Sequence, residues 1–248
     1  MIRQATGDDI LSISVESSFA VRIRSLYLCY GDQGYSFVDF WVQEMGEGSV
    51  AWISRFEDQF CLFLSDDSDL EEIAQFLRFW GGSAVLYDSR YTLNILSKKN
   101  ISGDVLAFTD SYISISELYH PDIQAYYDVL LTCAADDFRV PPYRMFLSDV
   151  VHRQNRGHCT LVGVRCDGVL ASCAMTVSDT ASASIIGAVA TRPDYRRRGL
   201  SRTVVRSLSS MLSTQGKRVY VLSSKRANTD FYRNSGFSVV AGFIEAFL

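Results

Sequence analysis

The chain has 248 residues, 48% hydrophobic and 21% charged, with a formal net charge of −4. That is enough chain for one large domain or two ordinary ones, and the balance is that of a soluble globular protein. No apolar run reaches the roughly 18 residues a membrane helix needs, and the first residues lack a signal's basic start and apolar stretch, so a cytoplasmic protein with no membrane partner is expected.

Charge is divided unevenly. Residues 1–118 hold 8 Lys/Arg against 18 Asp/Glu, and residues 119–248 hold 16 against 10. Such asymmetry suggests two units with different partners. Of the six cysteines, Cys159, Cys166 and Cys173 recur every seven residues near His152 and His158. That spacing suits no common zinc site, and no C-x-x-C pair occurs, so packed thiols and no metal are expected.

In chain order, residues 22–31 (RIRSLYLCYG) read as a strand, from their β-branched and aromatic content and closing glycine. Residues 36–45 (SFVDFWVQEM) have helical spacing and stop at Gly46. Residues 49–65 read as a hairpin turning at Glu57 and Asp58. Residues 66–82 predict a helix capped by Ser68 or Asp69, with Ile73, Phe76, Leu77 and Trp80 on one face and Gly81 and Gly82 as its stop. A short buried strand follows at 83–89. A domain boundary is expected near 105–112, within polar sequence, separating a smaller α/β domain (1–108) from a second domain (109–248).

The second half opens on a strand at 111–119, then helices at 122–135 and 141–157, the latter with proline at its start. Strands are predicted at 159–166, 169–177 and 182–191, the first two joined by an Asp167–Gly168 turn. Residues 201–216 form a helix with Val204, Val205, Leu208, Met211 and Leu212 on one face and Gly216 as its stop. A strand at 218–224, a short helix at 227–236 and a last strand at 237–248 complete an α/β fold with mixed sheets. The residues themselves show no internal repeat.

Between the strand ending at Thr191 and the helix beginning near Ser201 lie Arg192, Arg196, Arg197, Arg198 and Gly199, with Arg202 and Arg206 beyond. A helix start presents unpaired N–H groups and the positive end of its dipole, which together make an anion site. Gly199 lets backbone approach the anion, and arginines add charge-assisted hydrogen bonds. A Walker loop and a G-x-G-x-x-G fingerprint are both absent. Nucleic acid is a poor partner for an acidic chain whose basic residues crowd one loop beside a single aromatic, Tyr195.

The stretches TRPDYRRRGLS (191–201) and NTDFYRNSGF (228–237), in that order of strands and helices, resemble the GNAT superfamily of acyl-CoA-dependent N-acyltransferases. The resemblance covers about residues 112–248. It implies a GNAT fold there, with acetyl-CoA as co-substrate and an amine as acceptor. By this resemblance, N–H groups from Arg197 to Ser201, through Arg198, Gly199 and Leu200 and flanked by Arg196 and Arg202, hold the coenzyme pyrophosphate. The strand at Val189, Ala190 and Thr191 pairs with the pantetheine arm, Asn228 faces that arm, and Tyr232 protonates the departing thiolate. A monomer or homodimer is expected.

The resemblance has departures. Ser201 stands where the family usually has Gly or Ala, Asn228 and Tyr232 are closer together than in the common form, and the strand 182–191 has no Glu or Asp to serve as base. Asp179, His152, Asp149, Glu44 and a relayed water are the alternatives for that role. The first half is loosely reminiscent of a decayed copy of the same fold, lacking the phosphate loop. Its negative charge favours a cationic acceptor. The rival expectation is an acyl-CoA-binding sensor that has lost catalysis.

Overall fold

The computed structural model describes residues 1–46, 48–110, 117–135 and 138–248. The chain divides into two compact units. The first comprises Met1–Leu106, Leu222–Thr229 and Val239–Leu248; the second comprises Ala107–Val221 and Asp230–Ser238.

In the first unit, β1 (Ile2–Gln4) is followed by α1 (Gly7–Leu11) and α2 (Ser18–Tyr30), then by β2 (Val38–Met45), β3 (Gly48–Phe56) and β4 (Gln59–Leu64). These four strands are antiparallel neighbours in sequence order. Helix α3 (Leu70–Trp80) then crosses to β5 (Ala84–Asp88), which lies parallel to β4. The last strand, β11 (Phe237–Phe247), runs antiparallel to β5 from Phe243 to Phe247, with β6 (Lys99–Phe108) beyond it. Ile53, Leu62, Ile73, Leu77 and Val85 form the core between sheet and α3.

The second unit has α4 (Ile123–Leu131) and α5 (Tyr143–Asn155), then antiparallel β7 (Leu161–Cys166), β8 (Val169–Asp179) and β9 (Ala183–Thr191). Helix α6 (Leu200–Thr214) crosses to β10 (Arg218–Ser223), parallel to β9. Helix α7 (Arg226–Arg233) then leads into β11. Tyr126, Val129, Val150, Leu161 and Cys173 anchor this unit's core. Two helices, three antiparallel strands, a crossover helix and a parallel strand thus occur once in each unit, a repeat of elements with no trace in the residues.

Two sequence expectations are corrected. Residues 22–31 are helix, not strand: Ser17 caps α2 by accepting from the Phe19 N–H, and Phe19, Ala20, Val21 and Ile23 are all buried. A helix buried around most of its girth loses its apolar stripe and imitates a strand. Residues 36–45 contain β2, not a helix. Phe40, Trp41, Val42 and Gln43 are successively buried, because both faces of this strand are covered, and period-two alternation vanishes. The polar segment before residue 108, for which the sequence predicts no element, is β6, its exposed head hiding buried Val105, Leu106 and Ala107. Gly103 is required there, since a Cβ would sit 2.3 Å from the Ser223 carbonyl oxygen.

The strand expected at 111–119 falls mostly on residues outside those described; Tyr119 bridges Gly163. The remaining elements stand where the sequence puts them. Asp69 caps α3 through the Glu71 and Glu72 N–H groups. Asp167 and Gly168 both have positive φ, 53° and 78°, as a type I′ hairpin turn requires. The cysteines are free thiols, and burial pushes Cys61 up to about 11 and Cys173 up to about 12. No helix among the described residues is long and apolar enough to cross a membrane.

Candidate functional site

The site of interest in the second unit begins in the middle of β9. Cys173 pairs with Ala190 and Met175 with Gly187, so β9 carries one more residue than β8 between these rungs. The resulting bulge contains Ala188 at φ 47°, a left-handed conformation that costs a non-glycine residue about 1–3 kcal/mol. What holds it is buried below: the Tyr126 hydroxyl on α4 donates to the Ala188 carbonyl at 2.8 Å. Tyr126 is fully buried, and burial holds its phenol pKa well above the ordinary value.

Past the bulge, Val189, Ala190 and Thr191 line a pocket of about 240 Å³ together with Cys133, Phe138, Arg196 and Ser201. Thr191 is its structural hub. Its Oγ1 lies 2.7 Å from both the Ser172 and Ser201 hydroxyls, and its carbonyl accepts from Arg196 Nε at 3.2 Å and from the Cys133 thiol at 3.2 Å. Ser201 therefore does more than fit a tight turn, because its hydroxyl pins the first turn of α6 to β9.

A short 3-10 turn, Pro193–Tyr195, leads into the loop. Arg197 takes φ 61° and Gly199 φ 78°, the latter as N-cap of α6 with no side chain to cap it. Among the described residues, no acceptor is bonded to the backbone N–H groups from Arg197 to Arg202. A run of backbone donors at the positive end of a 15-residue helix has the chemistry to receive an anion. The arginine side chains divide. Arg192 donates to the Leu170 carbonyl, Arg206 pairs with Asp110 at 2.7 Å, and Arg198 lies over the Tyr195 ring and donates to the Asp194 carbonyl. Arg197 and Arg202 are exposed and carry no such tie among the described residues. Leu200 is half-buried beneath the turn.

Tyr232 lies on α7, edge-on to Phe231 and Phe237. Burial among these rings pushes its phenol up to about 12. Asn228, one turn earlier, is exposed and belongs to the part of α7 counted with the first unit.

The structure thus brings Val189, Ala190, Thr191, Arg196 and Ser201 around one cavity, with Arg197, Arg198, Gly199, Leu200 and Arg202 in the adjoining loop and turn. The acids considered as bases are otherwise engaged. Asp179 pairs with Lys217 at 2.6 Å and accepts from Ser184, Asp149 pairs with Arg153 at 3.4 Å, and Glu44 pairs with Arg3 at 2.6 Å. His152 lies on α5, with neither ring nitrogen in the pocket lining. Sequence reasoning missed Cys133, Phe138, Tyr126 and Ala188. Nothing local marks them, because their roles arise from α4 packing under β9.

The equivalent place in the first unit, between β4 and α3, reads SDDSD (65–69). There Asp69 occupies the helix N-terminus itself, its carboxylate accepting from the Glu71 and Glu72 N–H groups at 3.1 and 3.0 Å. A built-in carboxylate, ringed by further acids, fills and repels what the α6 start leaves open.

Residues 161–241 match the family model described as FR47-like protein. No match was found among curated protein sequences. Solved structures resemble the chain over nearly all its length. A GNAT family acetyltransferase from Colwellia psychrerythraea covers 100% of this chain and 99% of its own, with TM-score 0.61 and 11% identity. A GCN5-related N-acetyltransferase from Sphaerobacter thermophilus covers 99% and 94%, with TM-score 0.64 and 14% identity. A tandem GNAT protein from the clavulanic acid biosynthesis pathway covers 85% and 82%, with TM-score 0.53 and 13% identity. At such identities the likeness establishes the fold.

Proposed function

We propose that this chain, whose fold is that of the GNAT superfamily, is an N-acetyltransferase moving an acetyl group from acetyl-CoA to a primary amine. The observation that carries the reading is the row of unpartnered N–H groups from Arg197 to Arg202 beside a pocket walled by β9. A pyrophosphate is an anion that such a row suits: Gly199 has no side chain in the way, and nothing lies within 4 Å of where its Cβ would be. Arg197 and Arg202 supply free cationic charge at its rim.

The reaction forms a C–N bond and breaks a thioester C–S bond. The amine sheds a proton and the sulfur gains one. Tyr232 keeps its proton throughout the neutral range, as a donor to a departing thiolate must. Tyr126 holds the β9 bulge, and with it the backbone direction at Val189, where N–H polarisation of a carbonyl oxygen would be needed.

One observation favours a second reading, in which acyl-CoA is bound as a signal without turnover. Among the described residues, the pocket lining contains no carboxylate and no histidine to take the amine's proton. The experiment is a thermal melt with and without acetyl-CoA, on the native chain and on Gly199→Glu, followed by a CoA-thiol release assay over a panel of amines. Ligand at 100 times its Kd adds about 2.7 kcal/mol, a rise in Tm of about 5–10 °C at this size. A shift lost in the variant, with amine-dependent thiol release, supports the enzyme. A shift without release supports the sensor, and no shift in either protein removes both.

A further inference from the structure

The first unit contains a cavity of about 400 Å³ that the coenzyme reading does not use. It lies where β1 leads into α1, α2 ends and β2 begins. Val38 at the start of β2 is level with Phe56, and Phe56 with Gln59 at the start of β4. The cavity is therefore at the end of this sheet opposite the α3 N-terminus, away from the place equivalent to the α6 start.

Its walls are aromatic: Tyr27, Tyr30, Tyr35 and Phe40 all line it. Tyr27 meets Phe40 edge-on at 5.3 Å, and Tyr30 meets Tyr35 edge-on at 5.9 Å. Two glycines are shaped around Tyr27. Gly31 has an ordinary φ of −68°, so its backbone has no need of glycine, yet a Cβ there would fall 2.2 Å from the Tyr27 ring. A Cβ on Gly7 would fall 2.6 Å from the Tyr27 hydroxyl. Among the described residues, Asp39 is the lining's one carboxylate, and the lining has no cation. Arg55 donates through Nε and Nη2 to Asp39 Oδ2, so Oδ1 carries no hydrogen bond among the described residues.

From this geometry we infer that the cavity is a second binding site, taking a small organic ammonium compound with a ring-sized apolar body. Aromatic faces attract a cation, one carboxylate oxygen is open to receive an ammonium N–H, and the volume fits a small molecule. The site is distinct from the coenzyme pocket and stands or falls separately from it.

The test is calorimetric titration of the full chain with tyramine and with 4-ethylphenol, which keeps the ring and lacks the ammonium. Tyramine is expected to bind one to one, at least about tenfold tighter than 4-ethylphenol, a difference of about 1.4 kcal/mol. Asp39→Asn should erase that preference. Ser36→Trp, at an exposed lining position, should abolish binding of both compounds while leaving any acetyl-CoA melting shift intact. No saturable tyramine binding, equal affinity for the two compounds, or tyramine binding that survives Ser36→Trp would each overturn the inference.

Discussion

At the residue scale, single groups in the second unit carry distinguishable burdens. Gly199→Glu places a carboxylate where anions are attracted and forces a left-handed φ on a residue with a Cβ, for a stability cost of about 1 kcal/mol. Its coenzyme-dependent rise in Tm should vanish. Tyr126→Phe removes one buried hydrogen bond and leaves the Ala188 carbonyl short of a donor, at about 1–3 kcal/mol. If Tyr126 positions the bulge for catalysis, kcat should fall with KM for acetyl-CoA nearly unchanged. A merely structural role would lower Tm and leave kcat alone. Tyr232 gives a pH signature. Its native phenol titrates near 12 against about 10 when unfolded, so the native state holds the extra proton between those values. Stability should be level in this respect below about pH 10 and fall between about 10 and 12. Tyr232→Phe should remove that fall in alkaline denaturation curves, and should slow thiol release at neutral pH.

At the element scale, the loop-to-helix junctions decide what each half can bind. Both units place a crossover helix after the third antiparallel strand, yet α3 starts on a carboxylate cap and α6 on a bare glycine. Asp69→Ala should cost about 1 kcal/mol, read from denaturant midpoints, because two N–H groups of α3 lose their acceptor. The core side of α6 is more demanding: Leu208→Ala, fully buried, should cost about 2–5 kcal/mol. Legibility in the sequence followed burial. Elements with one wet face, α3 and α6 and the Asp167–Gly168 hairpin, show their period or turn chemistry plainly. Helix α2 and strand β2 do not, since a segment covered on most sides gains nothing from placing polar residues at regular intervals.

At the scale of the whole molecule, the charge division suggests how an acceptor is drawn in. The acidic first half would raise the local concentration of a cationic amine and make its capture salt-dependent. Asp58→Lys with Asp67→Lys, both exposed and neither a helix cap, should raise KM for a cationic acceptor at low salt. The effect should shrink as ionic strength rises, with the acetyl-CoA shift unchanged; an unaltered KM would dismiss steering.

The basic loop is legible in the sequence, since three consecutive arginines, a glycine and a small residue between strand and helix are local chemistry. The sequence by itself also determined the fold type through element order, and the short hairpin turns. Only the tertiary structure decided the strained bulge at Ala188, the Ser172–Thr191–Ser201 hydroxyl contacts and the aromatic cavity of the first unit. The element order of the first half hints at a second copy of the fold, and the structure gives that order element by element in both units. These features depend on side chains far apart in the chain meeting across packed layers. Contact at such separation leaves no periodic or local mark, because it is set by the shape of the filled core.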